Sequence, residues 1–438
     1  MKRMLLLSSL ILPLAAGAAE KELADAIAHD WQAKLSPLYD HLHANPELSF
    51  METKTAARMA QELRAAGFEV TEGVGKTGIV AIMKNGKGPT VMVRTDLDAL
   101  PVEEKSGAPN ASKVKMKDWN GNLVPVMHAC GHDVHMTSLV GTAHQMAAHR
   151  SEWSGTLMLI GQPAEERTGG AKAMMEDHIW QRFGKPDYAL ALHVVADMEA
   201  GKIVADEAPY SGSDALEITI HGKGTHGASP HTGKDPVVLA AQIVMALQTV
   251  VTRDVAPREP AVITVGSLHA GTKGNIIPDT AKMEVTVRSE SVETRAKLLG
   301  GIERVVKNTA RAAGIPEDQL PEIRTVDQPV PPTLNNVALL QRLQAVWTQK
   351  LGADIYDKGF KRGGMGAEDF SYFTQSPEIP SVYFQIGAAP AERLAQARAG
   401  KISIGYNHSP EFRVEADKSI QTGVLATTVA LLDLMKKQ

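Results

Sequence analysis

Three features are scarce in this 438-residue sequence: cysteine, blocks of like charge, and long apolar runs. A single cysteine, Cys130, cannot form an internal disulfide, so no disulfide framework supports the fold. The formal net charge of -4 is spread along the chain, which argues against a nucleic-acid partner. The apolar run at 4–16 is shorter than the ~20 residues that span a bilayer, so we expect no stable membrane anchor.

The N-terminal segment has the order typical of a secretory signal. Basic residues at 2–3 precede the apolar run, and small residues follow through Ala19. We therefore expect residues 1–19 to be a signal peptide and the mature protein to be exported, to a periplasm. A lone thiol in an oxidising compartment is open to oxidation, so a metal bound to Cys130 would account for its presence. Burial as a small hydrophobic residue is the alternative.

Short apolar segments alternate with helical patterns over most of the chain. The segments 90–93, 157–160 and 188–192 each lead directly into ionisable residues. This pattern predicts an α/β fold with a mainly parallel sheet and helices on both faces, over residues 20–211 and 328–438. In such sheets ligands bind beyond the carboxyl ends of the strands.

Residues 212–327 have a different pattern. Leu216, Ile218 and Ile220 alternate as in an amphipathic strand, and the segment continues in the order helix, strand, strand, helix, strand. This is the order of a split βαβ sandwich, so we predict an inserted α+β domain of the ferredoxin-like type.

The segment Met127–His135 concentrates residues that bind metals. It contains Cys130 and three of the fifteen histidines within nine residues. Thiolate and imidazole are the side chains that bind divalent transition metals best at neutral pH. A Cys130-x-His132 pair therefore indicates a metal site, unless the cysteine is simply buried beside surface histidines.

Further candidates follow later segments. Glu165 and Glu166 are adjacent in the sequence after a strand, so their side chains cannot point in the same direction. One of them can therefore bind a metal ion while the other activates a water molecule. His193 follows the next strand, and His408 lies in an irregular loop. Taken singly, the glutamates could form a solvated acidic loop and His408 could be a surface histidine. Together with Cys130 and His132 they favour two metal ions, since such a pair needs about five protein ligands.

Seven motifs resemble, in order and spacing, the co-catalytic metallo-amidohydrolase family of aminoacylases, carboxypeptidase G and hippurate hydrolases. The nearest branch is that of N-acyl amino acid and auxin-conjugate amidohydrolases. The motifs extend over essentially the whole mature chain and are His43–Ser49, Asp96–Pro101, Met127–Asp133, Gln162–Glu166, Gly224–His231, Gly274–Pro278 and His408–Pro410.

The resemblance implies a role for each candidate. Cys130 would bridge two divalent metal ions, zinc or manganese, with cobalt and nickel as alternatives. The remaining ligands would be His132 and His193 for one ion, and Glu166 and His408 for the other. Glu165 would be the general base, and Asp96 would orient a ligand.

The inserted domain resembles the lid and dimerisation domain of this family, which implies a homodimer or a larger homo-oligomer. By that resemblance His226 would stabilise an oxyanion, including across a dimer interface. Asn275 and Arg288 would hold the free carboxylate of the substrate. Asn275 after Gly274 could instead be only a turn residue, and Arg288 could end a strand in a surface ion pair.

The function implied is hydrolysis of the amide bond of an N-acyl amino acid, giving a carboxylic acid and a free amino acid. A dipeptidase or carboxypeptidase acting on short peptides is the alternative within the same class. An exported metal-binding or solute-binding protein is the alternative from another class. A binding protein of this kind would not need a general base at Glu165.

Overall fold

The computed structural model describes residues 12–437, which form two compact units. The first unit consists of the described residues up to 209 together with 335–362 and 373–437, and the second consists of 210–334 and 363–372. The predicted domain at 212–327 lies within the second unit. The predicted signal peptide, residues 1–19, lies partly outside the described residues.

The first unit contains a seven-stranded sheet in the order β1-β2-β6-β3-β7-β15-β8, and a separate hairpin of β4 and β5. The pairs β6-β3, β3-β7 and β7-β15 are parallel, and the pairs at the two edges are antiparallel. The strands are β1 Glu69–Val74, β2 Gly78–Asn85, β3 Thr90–Asp96, β4 Lys115–Lys117, β5 Leu123–Pro125, β6 Gly155–Gln162, β7 Tyr188–Glu199, β8 Ile203–Val204 and β15 Ser381–Ala389.

Helices cover this sheet. All nine residues of β15 are buried, as is typical of a strand covered on both faces. The prediction of a mainly parallel sheet with helices is confirmed. The helices are α1 Leu12–Asp30, α2 Ser36–Ala44, α3 Thr53–Ala65, α4 His132–Ala148, α5 Gly170–Glu176, α6 Ile179–Phe183, α9 Val337–Leu351, α11 Ala391–Arg398 and α12 Ala416–Leu434.

Helix α4 is largely buried and packs closely on α12. Glycines permit this approach, because a Cβ at Gly141 would lie 2.5 Å from Val424, and one at Gly423 would lie 2.8 Å from the Ser138 hydroxyl. The close packing holds the first turn of α4 in place. That turn begins at His132.

The second unit is built on a four-stranded antiparallel sheet in the order β11-β13-β9-β14, with helices α7 and α8 packed on it. Asp235 and Ser291 cap these helices through hydrogen bonds to Val238 and Thr294, among others. The elements are β9 Gly212–His221, β10 Thr225–His226, α7 Pro236–Thr249, β11 Ala261–Ala270, β12 Ile276–Ile277, β13 Thr280–Ser289, α8 Val292–Ala312 and β14 Glu322–Thr325. A one-turn helix, α10 Ser371–Thr374, lies where the chain passes from the second unit to the first.

The chain leaves the first unit and returns to it at neighbouring points. The amide of Asn335 donates to the carbonyl of Asp206 at 2.6 Å, and its backbone N–H donates to the carbonyl of Glu207 at 2.8 Å. The first unit therefore closes a short gap around the inserted residues.

A buried ionic cluster ties α2 to α4. The Nδ1 of His43 lies 2.6 Å from Asp133, in the first turn of α4, and its Nε2 lies 3.1 Å from Glu104. Burial alone would lower the pKa of His43, but the hydrogen bonds to the two carboxylates raise it to about 10. His43 is thus a structural cation that fixes the start of the helix carrying His132.

We expect His43→Gln to lower the free energy of unfolding by about 3 kcal/mol at pH 6.5, because it leaves buried carboxylates unpaired. The folded-state pKa of His43 is raised, so its contribution is complete below 6.5 and is lost as pH rises toward about 10. Denaturant unfolding across this pH range, for both proteins, measures the difference. His41→Gln, on the exposed face of α2, is the control. A difference that grows with pH would contradict the assignment.

Candidate metal centre

Cys130 and His132 are brought to β7 by a glycine. Gly131 has φ of +86°, a conformation that favours glycine, and a Cβ there would lie 2.3 Å from Cγ1 of Val194. The absence of a side chain lets the turn approach the strand that carries His193. His193 lies within β7 and not beyond its end, because pairing with β15 continues past it.

Glu165 and Glu166 lie in a short 3-10 turn directly after β6. Asp98, just beyond the end of β3, accepts hydrogen bonds from both of their backbone N–H groups, at 3.1 and 3.0 Å. The Ser49 hydroxyl donates to the same carboxylate at 2.6 Å. Asp98 therefore fixes the turn, and with it the two glutamate side chains.

His408 comes from a surface loop near the end of the chain. Its side chain is 56% exposed, whereas Cys130, His132 and His193 are buried. The backbone N–H of His408 donates to the carbonyl of Ala129 at 2.7 Å, which joins this loop to the Cys130 segment.

The five predicted ligands converge around the sulfur of Cys130. The Sγ atom lies 3.3 Å from Nε2 of His193 and 3.3 Å from Nε2 of His408. The ligand atoms form two groups, each with every atom within 4.8 Å of the others. Cys130 belongs to both groups, the first of which adds His132 and His193, and the second Glu166 and His408.

Two of the histidines are oriented by main-chain carbonyls. Nδ1 of His132 lies 2.8 Å from the carbonyl of Asp98, and Nδ1 of His193 lies 2.8 Å from that of Val194. A carbonyl only accepts hydrogen bonds, so Nδ1 carries a proton, which leaves Nε2 as the ring nitrogen available to a metal ion. This is the usual arrangement of metal-binding histidines.

Two buried atoms test whether a cation fits. Among the described residues, Nε2 of His132 and Oε1 of Glu166 are buried without a hydrogen-bond partner. Burying a polar atom is energetically unfavourable unless a hydrogen-bond partner or an ion satisfies it. Both are of the type that binds divalent metals, and they lie 3.9 Å apart. A cation in each of the two donor groups would satisfy these atoms, since His132 belongs to the first group and Glu166 to the second.

The electrostatics lead to the same conclusion. Burial raises the pKa of the Cys130 thiol well above its usual value, and the charges of Glu166 and Glu165 raise it further. Burial also raises the pKa of Glu166 to about 8, with Asp98 adding to the shift and His132 opposing it. Crowded acidic groups resist losing their protons, and a divalent cation removes that penalty.

Asp96 lies beneath the ligands, fully buried. Its carboxylate accepts from Nδ1 of His135 at 2.7 Å and from Arg94 at 2.9 Å, and it lies 3.5 Å from Nε2 of His132. Nε2 of His135 in turn accepts from the backbone N–H of Val194 at 2.8 Å. Asp96 is therefore held rigidly beside a ligand atom.

Sequence reasoning missed Asp98 and His135. Asp98 could have been identified from the sequence, because it follows Asp96 with one residue between them, just beyond the end of the same strand. His135 lies one helical turn from His132 and so shares its face of α4. Neither residue is a donor in the two groups around Cys130. Asp98 holds the backbone of the donor Glu166, and His135 holds Asp96 beside the donor His132.

The three remaining candidates belong to the second unit. His226 on β10 is exposed, and its Nδ1 accepts from the backbone N–H of Ala228 at 3.0 Å, so its Nε2 carries the proton and can donate. The Gly227 N–H donates to the carbonyl of Asn275 at 2.8 Å, which brings Asn275 beside His226. Arg288 is half-buried on β13, and its Nη1 has no hydrogen-bond partner among the described residues.

The sequence from 92 to 424 matches the model of peptidase family M20/M25/M40. The chain belongs to this family. Membership makes it a hydrolase of the metal-dependent type, which confirms the enzyme class predicted from the motifs.

Curated relatives cover most of the chain. Thermostable carboxypeptidase 2 of Saccharolobus solfataricus is 35% identical over 401 residues, 90% of this chain and 94% of the relative. Hippurate hydrolase of Campylobacter jejuni is 36% identical over 359 residues, 81% of this chain and 89% of the relative. The crystal structure of the Bacillus subtilis YXEP protein, described as a dinuclear metal-binding peptidase of the M20 family, has a TM-score of 0.74 and 28% identity. The match covers 94% of this chain and 99% of that one.

We expect Gly131→Ala to lower the free energy of unfolding by about 3 kcal/mol, because the new Cβ meets both an unfavourable φ and the side chain of Val194. Gly86→Ala is the matched control, since Gly86 has φ of +83° and a Cβ there would have no neighbouring atom within 4 Å. The control substitution should lower the free energy of unfolding by only about 1 kcal/mol. Denaturant unfolding of both variants measures the difference, and equal costs would show that the approach to β7 is not tight.

Proposed function

We propose that this protein is an amidohydrolase that cleaves N-acyl amino acids, of the hippurate or acetyl-amino-acid type, into a carboxylic acid and a free amino acid. The observation that carries the proposal is the pair of donor groups sharing Cys130, with the Glu165 carboxylate beside them. Oε2 of Glu165 lies 3.8 Å from Nε2 of His132, and the side chain is almost fully buried.

Cys130, His132 and His193 would hold one divalent ion, and Cys130, Glu166 and His408 would hold the other. Histidine and thiolate donors suit zinc, while the mixed histidine and carboxylate group also suits manganese, cobalt or nickel. When bound, the ions supply a water of lowered pKa and polarise the amide carbonyl.

Glu165 has the properties of a general base. It is positioned by the Asp98 hydrogen bond to its backbone N–H, and it is not needed as a donor in either group around Cys130. Its carboxylate accepts a proton from the attacking water, and the same proton then passes to the nitrogen of the leaving amino acid. One amide bond and one water are consumed, and one carboxylic acid and one amine are released.

The similarity to hippurate hydrolase supports an N-acyl amino acid as substrate. A carboxypeptidase is similar to this chain at nearly equal identity, so cleavage of short peptides is the second candidate function. Both substrate classes present an amide next to a free carboxylate, so they differ only in the group on the acyl side.

We expect Glu165→Gln to lower kcat by a factor of about 10²–10⁴, because the amide cannot accept the proton. The same variant should retain about two metal ions per chain by elemental analysis, because Cys130 and the other four donors are unchanged. Release of free amino acid from hippurate and acetyl-amino acids is the activity assay. Near wild-type turnover would reject Glu165 as the base.

Relative kcat/KM for N-acyl amino acids and for dipeptides separates the two substrate classes. Higher values for hippurate or acetyl-amino acids support the proposal, and higher values for dipeptides support the peptidase. Absence of turnover on both, with metal bound, would favour a binding protein.

We further propose that two copies associate through β11 and α7 of the second unit. Strand β11 is at the edge of its sheet, and Leu268 on it is 43% exposed. On α7, Val238 and Met245 are 54% and 72% exposed and lie two turns apart on one face. The stretch Pro236–Asp254 is apolar enough to cross a membrane by length and composition, yet only 33% of it is buried. A partner subunit would cover this surface.

A solution mass of about twice 47.0 kDa is expected for the full chain. The double variant Val238→Glu, Met245→Lys should shift the mass to that of one chain, because it places charges in an apolar interface. Val292→Lys is the control, since Val292 is 63% exposed on α8. Light scattering after gel filtration measures all three proteins. An unchanged mass in the double variant would show that the interface does not include this surface of β11 and α7.

A further inference from the structure

The side chain of Asn407 makes hydrogen bonds to two of the chain segments that carry the metal ligands. Its amide nitrogen lies 3.2 Å from the carbonyl of Cys130 and 3.1 Å from the carbonyl of Val194, and donates to both. Its amide oxygen accepts from the backbone N–H of Ala196 at 3.0 Å. The same nitrogen lies 4.0 Å from the sulfur of Cys130.

These contacts join three parts of the chain that are far apart in sequence. Cys130 precedes α4, Val194 follows His193 on β7, and Asn407 itself precedes His408. One planar amide thus connects the segments that carry three of the five donors. All of these residues belong to the first unit.

The loop at His408 needs such support. His408 has φ of +71°, an unfavourable conformation for a residue with a side chain, which costs roughly 1–2 kcal/mol. Its imidazole is also the most exposed of the three histidine donors. An exposed donor in a strained loop keeps its place only if its neighbours are fixed.

We propose that Asn407 is a positioning residue that holds His408 and Cys130 in register for the metal ion bound by Cys130, Glu166 and His408. This inference rests on the proposed function, since it presumes that the two donor groups bind metal. Outer hydrogen bonds of this kind typically change metal affinity by about 10- to 100-fold.

A second asparagine provides a matched control. The amide of Asn335 donates to the carbonyls of Asp206 and Tyr383, and its oxygen accepts from the backbone N–H of Tyr383 at 2.7 Å. This is the same bonding pattern as that of Asn407, at a position outside the donor groups. Asn335→Asp therefore removes equivalent hydrogen bonds without touching a metal-ligand segment.

The test is a titration of the chelator-treated full chain with Co²⁺ and Zn²⁺, in competition with a chelator. Asn407→Asp keeps the size and the acceptor oxygen but loses both donated hydrogen bonds, and Asn407→Ala removes the side chain. His408→Ala identifies the binding step that depends on this loop. We expect both Asn407 variants to weaken that step by about 10- to 100-fold, while Asn335→Asp leaves it within about twofold.

Two further signals report on Cys130 without any assay of activity. The sulfur-to-cobalt charge-transfer absorption should weaken or shift in the Asn407 variants and not in Asn335→Asp. Since Cys130 is the only cysteine, its reaction with a thiol reagent in chelator-treated protein reports on the exposure of Cys130 alone, which the loop at Asn407 and His408 contacts. We expect faster modification in the Asn407 variants, because the loop is released.

The outcomes separate this inference from the proposed function. If the unaltered chain binds fewer than two ions, the dinuclear site itself is rejected. If it binds two, and the Asn407 variants keep both affinities and the cobalt spectrum, then Asn407 is not a positioning residue. An equal loss in Asn335→Asp would show that general stability, and not the position of the ligands, controls metal binding.

Discussion

One buried sulfur lies between two imidazoles, and most features of the first unit follow from that constraint. Cys130 is 3.3 Å from both His193 and His408, and burial together with the charges of Glu166 and Glu165 raises the pKa of its thiol. Without a compensating cation this crowding would be unfavourable, because buried like charges repel and have little water around them. The surrounding hydrogen bonds, which Asp98, Asp96 and the main-chain carbonyls accept, hold these groups in place against that repulsion.

Much of the fold could be predicted because local pattern and burial agree. The apolar segments 90–93, 157–160 and 188–192 all lie in strands of the first sheet, as predicted, although β7 continues past His193. The order of elements in the second unit follows from the alternation at 216–220 and from the two long helical segments. The antiparallel strands at the edges of the first sheet were less predictable, because strand direction depends on connections and not on the residues of one strand.

The donor residues were predictable from their chemical type and spacing, whereas the residues that support them were not. Asp98 binds through backbone N–H groups of Glu165 and Glu166, and a backbone group leaves no signature in sequence. His135 is identified only once α4 is known to begin at His132. Asn407 acts on carbonyls of Cys130 and Val194, more than 200 residues away along the chain, so only the folded structure brings them together.

The hydrogen bonds between Asn335 and residues 206–207 have an evolutionary consequence. They join the two ends of the inserted segment, so the first unit needs no long loop to complete its own fold. A segment inserted at such a junction can be lengthened, shortened or replaced with little effect on the stability of the first unit. The inserted segment can therefore change in length or sequence while the first unit keeps Cys130 and the other donors in place.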